Sequence, residues 1–201
     1  MALAYAEIKK VHAKTGGILK PQVQQSFGPK GLAAGAELEL PFSLTLPENC
    51  PITDKKSSYF LTYGRELSES HLMLKIEPKA LFSKVIGLLD TFHRFKLKDM
   101  KGTKHGVEYK LIPPSSREMA SLENMNLAMQ MQGEQLALSF EFQGKKLDTS
   151  AVTTKVNKET VKIKRELSPK DYSLGRDMLN QDQLLKVLEE VLNEVKMKNV
   201  F

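Results

Sequence analysis

A single cysteine, Cys50, in 201 residues forbids any intramolecular disulfide and is consistent with a reducing compartment, with Cys50 in a structural turn role. Long hydrophobic runs are also missing. The longest, such as Val85 to Leu89, fall far short of the roughly 20 residues a membrane span requires. The N-terminus lacks the basic, apolar and small-residue regions of a signal peptide. Together these absences point to a soluble, cytoplasmic protein. The usual catalytic and ligand signatures are wanting too. His12, His71, His93 and His105 have no Cys or carboxylate partner at short metal-ligand spacing, so no metal site is expected. Ser115 and Ser116 follow Pro113-Pro114 without a nucleophile elbow around them, which reads as a proline-rich turn. Gly16-Gly17 and Gly28-Pro29-Lys30-Gly31 do not match a phosphate-binding loop and read as hairpin turns. No catalytic residue, cofactor or metal is assigned, and the chain is read as a non-enzyme; an enzyme for a small ligand on a β scaffold ranks last.

What is present is alternation. From Ala36 to Pro51, Leu38, Leu40, Phe42, Leu44 and Leu46 fall on one face and Glu37, Glu39, Ser43 and Thr45 on the other, the period of a strand with one buried face. Pro41 donates no ladder hydrogen bond, so this strand is expected at a sheet edge or a bulge. The pattern recurs at Tyr59, Leu61 and Tyr63, at Leu72, Leu74 and Ile76, and at Val107, Tyr109 and Leu111. Met125, Leu127, Met129 and Met131, then Leu136, Leu138, Phe140 and Phe142, predict a hairpin turning at Gln132-Gly133-Glu134. The soft methionine face is expected in the core, with an adaptable binding surface as the other reading. Val152, Thr154 and Val156 followed by Val161 and Ile163 predict a second hairpin with its turn at Asn157-Lys158. Turn signals every ~8–12 residues make this a mainly β chain and favour a sandwich.

Two segments have helical spacing. After Pro78, placed in a first turn, Leu81, Val85, Leu88 and Phe92 mark one face of a helix. At the C-terminus Leu184, Leu188, Val191 and Val195 form a stripe widened by Leu185 and Leu192, with Lys186, Glu189, Glu190 and Lys196 around it. Such a stripe buries itself on its own domain or on a partner. The expected organisation is residues 1–77, 78–168 with the first helix, and a terminal helix over 169–201.

The net charge of +6 biases the surface toward anionic partners without demanding one. Arg94, Lys96, Lys98, Lys101 and Lys104, with His105, form a candidate anion-binding strip for phosphorylated protein, acidic lipid or nucleic acid. Because Phe95 and Leu97 alternate with the charges, the strip is read first as the wet face of a strand with lysines guarding an edge. Lys155, Lys158, Lys162, Lys164 and Arg165 carry the same two readings. Neither strip shows the interleaved exposed aromatics that a single-strand nucleic-acid groove uses for stacking. His93, closing the first helix, is placed as a cationic cap of its dipole.

Glu37-Leu38-Glu39-Leu40-Pro41-Phe42-Ser43-Leu44-Thr45-Leu46-Pro47, the helix starting at Glu77-Pro78, Phe95-Lys96-Leu97-Lys98, Gly106 to Pro113 and Gly133 to Phe142 together resemble successive elements of the arrestin-like sporulation-control proteins of bacteria, the stage-zero protein M family, over roughly residues 5 to 165. The resemblance implies two β-sandwiches joined end to end by a helix, and a non-enzymatic scaffold or regulator of sporulation, division or stress responses that works through protein partners. It also implies a shortened N-terminal sandwich, whose open edge, like the terminal helix, is a candidate site of strand addition or homodimerisation. The alternative is an anion-responsive adaptor whose basic strand faces contact an acidic membrane surface or nucleic acid; contact with a membrane would be peripheral, and nucleic acid is the less expected partner.

Overall fold

The computed structural model describes residues 1–13, 19, 22–23, 35–37, 39, 41–46, 50–64, 70–103, 105–148, 155–175 and 178–197, with backbone alone at 23, 146–148 and 155–157. The chain is mainly β, with 45% strand and 28% helix in three antiparallel sheets and a C-terminal helix. It divides into two compact units, Met1–Glu77 and Pro78–Phe201.

The first unit is built on β1 (Ala2–Glu7), followed by α1 (Ile8–His12), β2 (Gln22–Val23), β3 (Ser57–Tyr63) and β4 (Ser70–Leu74). The strands form one sheet in the order β2-β1-β3-β4. Ala2, Ala4 and Ala6 of β1 stand opposite Thr62, Phe60 and Ser58 of β3, and this face is buried. Val11 of α1 packs with Ala6 and Phe60. Two hydroxyls go into this core because both are satisfied: Ser58 bonds the Leu74 carbonyl at 2.6 Å and Thr53 Oγ1 at 2.8 Å, and Thr62 donates to the Ala2 carbonyl at 3.3 Å. β1 carries few of the large residues that advertise a strand, so alternation of alanine with Leu3 and Tyr5 was too faint a signal.

The alternating segment from Ala36 to Leu46 is not a strand where it is described. Residues 35–37, 39 and 41–46 lie outside every helix and sheet, and Phe42 is 47% exposed; Leu38, Leu40, Pro47 and both glycine loops lie outside the described residues. Alternation makes a segment able to join a ladder, but a ladder needs a neighbour, and Pro41 withdraws a donor from the middle of this one.

The second unit opens with α2 (Ala80–His93) and continues through a meander of β5 (Lys96–Gly102), β6 (Val107–Ile112), β7 (Leu122–Gln132), β8 (Gln135–Asp148) and β9 (Lys155–Leu167). These pair in sequence order. After α3 (Pro169–Tyr172), the short strands β10 (Ser173–Gly175) and β11 (Met178–Leu179) make a two-stranded sheet before α4 (Gln181–Met197). Asp171 reaches back to the Ser168 amide at 2.8 Å, the reciprocal cap that starts α3. β7 and β8 turn through Gly133-Glu134 with Gln132 opposite Gln135, and φ of +60° at Gly133 explains glycine there.

Three expectations are corrected in this unit. Asn157 and Lys158 are not a turn: β8 and β9 stay in register from Leu136↔Leu167 to Asp148↔Lys155, so both sit inside β9. Asn-Lys has no glycine to supply positive φ, and the long partner strand provides a ladder through it. α2 begins at Ala80 with Lys79 as its cap, leaving Pro78 outside the first turn. Its buried stripe is Phe82, Val85, Ile86, Leu88 and Leu89, whereas Phe92 is exposed.

The core lies on one face of the five-stranded sheet. Tyr109, Leu127, Phe140 and Ile163 run across it in register and all four are buried. Arg165 shares that face, opposite Leu138, and its Nη2 bonds Glu194 of α4 at 2.7 Å. α4 therefore lies over the apolar face, with Leu184, Leu188, Val191 and Val195 buried. In this unit the apolar face of the large sheet is met by helix; a pairing of two sandwiches is not confirmed. The other face is polar and wet, the ordinary economy of an antiparallel sheet.

Gly106 shows how tightly the meander is drawn. A Cβ at this position would stand 2.1 Å from the Met129 carbonyl oxygen, so only glycine lets the β5–β6 connection pass β7.

Candidate functional site

The first basic strip does not converge. Arg94 ends α2 in the left-handed region, with φ of 58°, and its amide donates to the Asp90 carbonyl at 3.1 Å. Lys96 is ion-paired with Asp90. Lys98 falls in the register shift between Leu97 and Asp99, and Lys101 pairs with Glu108 at 3.0 Å. Lys104 lies outside the described residues. β5 is an edge strand, so lysines and a bulge occupy the edge, an arrangement that discourages pairing with another chain.

The second strip lies on β9, the opposite edge. Lys162 pairs with Glu141 at 2.9 Å, and this lysine contact, ahead of the bond from Gln143, holds the Glu141 carboxyl below its ordinary value. Arg165 is turned to α4. Lys158 and Lys164 are exposed on the wet face, and of Lys155 only the backbone is described. Nearby, Lys145 bonds Glu123 at 2.6 Å; that bond first, then Lys145, Lys158 and Lys110 as charges, holds Glu123 down. Surface pairs of this kind contribute roughly 0–1 kcal/mol each.

A shallow concavity of about 190 Å³ on the wet face is lined by Asp99, Lys101, Glu108, Lys110, Asn126 and Met100. A second of about 170 Å³ lies between the start of α2 and the β10–β11 sheet, with Leu81, Tyr172 and Met178 among its walls. Among the described residues no group of three His, Cys, Asp or Glu side chains could hold a metal ion, and no helix is long and apolar enough to cross a membrane.

Among the described residues of the second unit, three buried polar side-chain atoms lack a hydrogen-bond partner: the Tyr109 hydroxyl, Asn124 Oδ1 and His93 Nε2. Tyr109 is 2% exposed, and burial pushes its phenol up to about 12. Burial first, with Lys196 against and Glu189 in favour of the charge, holds the His93 imidazole below its ordinary 6.5. His93 is thus biased toward the neutral form and is not the cationic cap expected. The turn out of α2 is closed by Arg94 and by the Phe95 amide donating to the Leu89 carbonyl at 3.0 Å. Sequence spacing places a residue along the chain but gives no sign of how deep it lies.

The surface that sequence reasoning missed is in the first unit. On the face of its sheet opposite the alanines, Tyr5, Tyr59 and Leu74 stand in one cross-strand row and Leu3, Leu61 and Leu72 in the next, with Tyr63 beyond. Leu3 and Leu61 are buried, but around them Tyr5 and Tyr63 are each 43% exposed and Leu72 is 57% exposed. The Tyr5 and Tyr59 rings lie 5.2 Å apart. Burial first, then Cys50 and Tyr5, raises the Tyr59 phenol above its ordinary 10.0. Tyrosine at alternate positions of β3 was the available signal, but it reads equally as core. Comparison with family models, with curated proteins and with solved structures gives no match.

Proposed function

We propose that this chain is a non-enzymatic scaffold or regulatory protein that acts by binding other proteins. The observation that carries the reading is the tyrosine- and leucine-rich face of the first sheet. Apolar side chains exposed on one face are costly to keep in water, and tyrosine joins a rigid apolar ring to a hydrogen-bonding tip, which is why protein interfaces are enriched in it. The anion-responsive alternative has less support, because Lys96, Lys101 and Lys162 are taken up in ion pairs. An arrestin-like pair of sandwiches, and a cytoplasmic role in sporulation, division or stress control, belong to the same proposal and rest on the sequence stretches that resemble that family.

The test is a Tyr63→Ser/Leu72→Ser double variant. Tyr63 is 43% and Leu72 57% exposed, so stability should move by about 0.5 kcal/mol per site, while association with protein partners falls about tenfold or more. Unchanged association, or a turnover abolished by changing one polar residue, would contradict the proposal.

A further inference from the structure

The two edges of the five-stranded sheet are unequal. β5 is short, bulged at Lys98 and tied down at Lys96. β9 pairs with β8 without a register shift from end to end, and no described strand lies on its far side. A long, regular free edge is a template for another strand.

Which groups face outward follows from the β7–β8 turn. A two-residue turn makes Gln132 and Gln135 a hydrogen-bonded pair, and bonded and non-bonded pairs alternate from there. β8 therefore bonds β7 through odd-numbered residues and β9 through even-numbered ones, which meet odd-numbered residues such as Val161 and Ile163. Lys158, Thr160, Lys162 and Lys164 consequently turn their N–H and C=O groups outward. The Arg165 guanidinium already bonds the outward Lys164 carbonyl at 2.9 Å, so the open stretch of this edge runs from Lys158 to Lys162. Lys158 and Lys164 carry exposed side chains on the wet face beside these backbone groups, with Lys162, paired to Glu141 at 2.9 Å, between them.

We infer that this edge takes an extended segment of a partner protein with acidic residues at alternate positions, added antiparallel as a sixth strand. Acidic residues then stand opposite Lys158 and Lys162 in hydrogen-bonded pairs, with Thr160 between and Lys164 next along, and opposite charges there stabilise an added strand whereas like charges repel. A second copy of β9 overlapping Lys158 to Lys164 brings lysine against lysine. The chain's own Glu37–Thr45 stretch, laid with its glutamates toward the lysines, puts Pro41 at a bonding position with no N–H to give. The occupant is therefore another protein. The inference rests on the protein-binding reading above and names the partner's chemistry.

The experiment titrates the full chain with a short peptide alternating glutamate and valine, and with two forms of it N-methylated at either the glutamate or the valine nitrogens. Wild type should bind the parent peptide and the valine-methylated form, and the glutamate-methylated form about tenfold or more weakly, since those nitrogens face β9. Thr160→Pro, whose lost N–H points away from β8, should stay folded and lose binding by a similar factor; Lys162→Glu/Lys164→Glu should do the same through charge. Equal binding of both methylated forms, or no binding of the parent peptide, would overturn the inference. So would undiminished binding by a folded Thr160→Pro. Each of those outcomes leaves the tyrosine face of the first sheet untouched, where Tyr63→Ser/Leu72→Ser reports separately.

Discussion

Single residues in this chain decide matters that composition does not foreshadow. Gly106 has a negative or extended backbone and no need of glycine's conformational range, yet the Met129 carbonyl oxygen lies where a Cβ would be, at 2.1 Å. Gly106→Ala should cost about 1–3 kcal/mol of overpacking, because backbone must give way; thermal unfolding of the variant measures it. His93 links stability to pH. Its imidazole titrates below 6.5 when folded and near 6.5 when unfolded, so the unfolded state binds more protons in between. Stability of the second unit should then begin to fall as pH drops through about 6.5, ahead of the carboxylates such as Glu118, Glu123 and Glu141, whose folded values lie under 4.5 and whose contribution is lost at lower pH. His93→Gln should remove the earlier part of that fall, which denaturant titration at stepped pH would register. Neither effect was legible in the sequence, since depth of burial and the approach of a distant carbonyl leave no mark on local spacing.

At the scale of elements, periodicity did well where the chain itself supplies the neighbour. β6, β7 and β8 stand where alternation put them, with Val107, Tyr109, Leu111, Met125, Leu127 and Met129 buried, because each strand is followed at once by its partner. It failed where the neighbour is missing, as in Glu37 to Leu46, and where a strand outran its turn signal, as in β9 through Asn157-Lys158. In α2 the stripe held at Val85 and Leu88, while Leu81 is only half-buried and Phe92 is exposed. The terminal helix was legible as amphipathic, but its destination was not. The structure lays it on its own sheet, with Leu184, Leu188, Val191 and Val195 buried and Arg165 and Lys196 pinning it to β9 and to Glu118. Leu188→Asp should therefore unfold the second unit, at a cost beyond the 2–5 kcal/mol typical of truncating a buried leucine to alanine. Soluble, folded protein that merely lost a partner would show instead that the stripe serves an interface.

On the proposed reading, each of the two units devotes one sheet face to its own core and offers a second kind of surface to partners. In the first unit that surface is a ring of Tyr5, Tyr63 and Leu72 around buried Leu3 and Leu61. In the second it is the outer edge of β9, beyond which no described strand lies. The sequence pointed to sheet edges and to the terminal helix as meeting places. The edge survives as a proposal, the helix is in the core, and the tyrosine face emerges only when β1, β3 and β4 are set side by side. The central claim is that binding to protein, through apolar contact, is what this chain does. Its most direct test is capture on the tagged full chain expressed at native level, wild type beside Tyr63→Ser/Leu72→Ser, washed at raised salt. A protein partner that survives the wash on wild type and is lost from the variant is the predicted result, since apolar contacts are not screened by salt while surface charge pairs are. Capture that is equal on both chains, or that consists of lipid or nucleic acid released by salt, would contradict it.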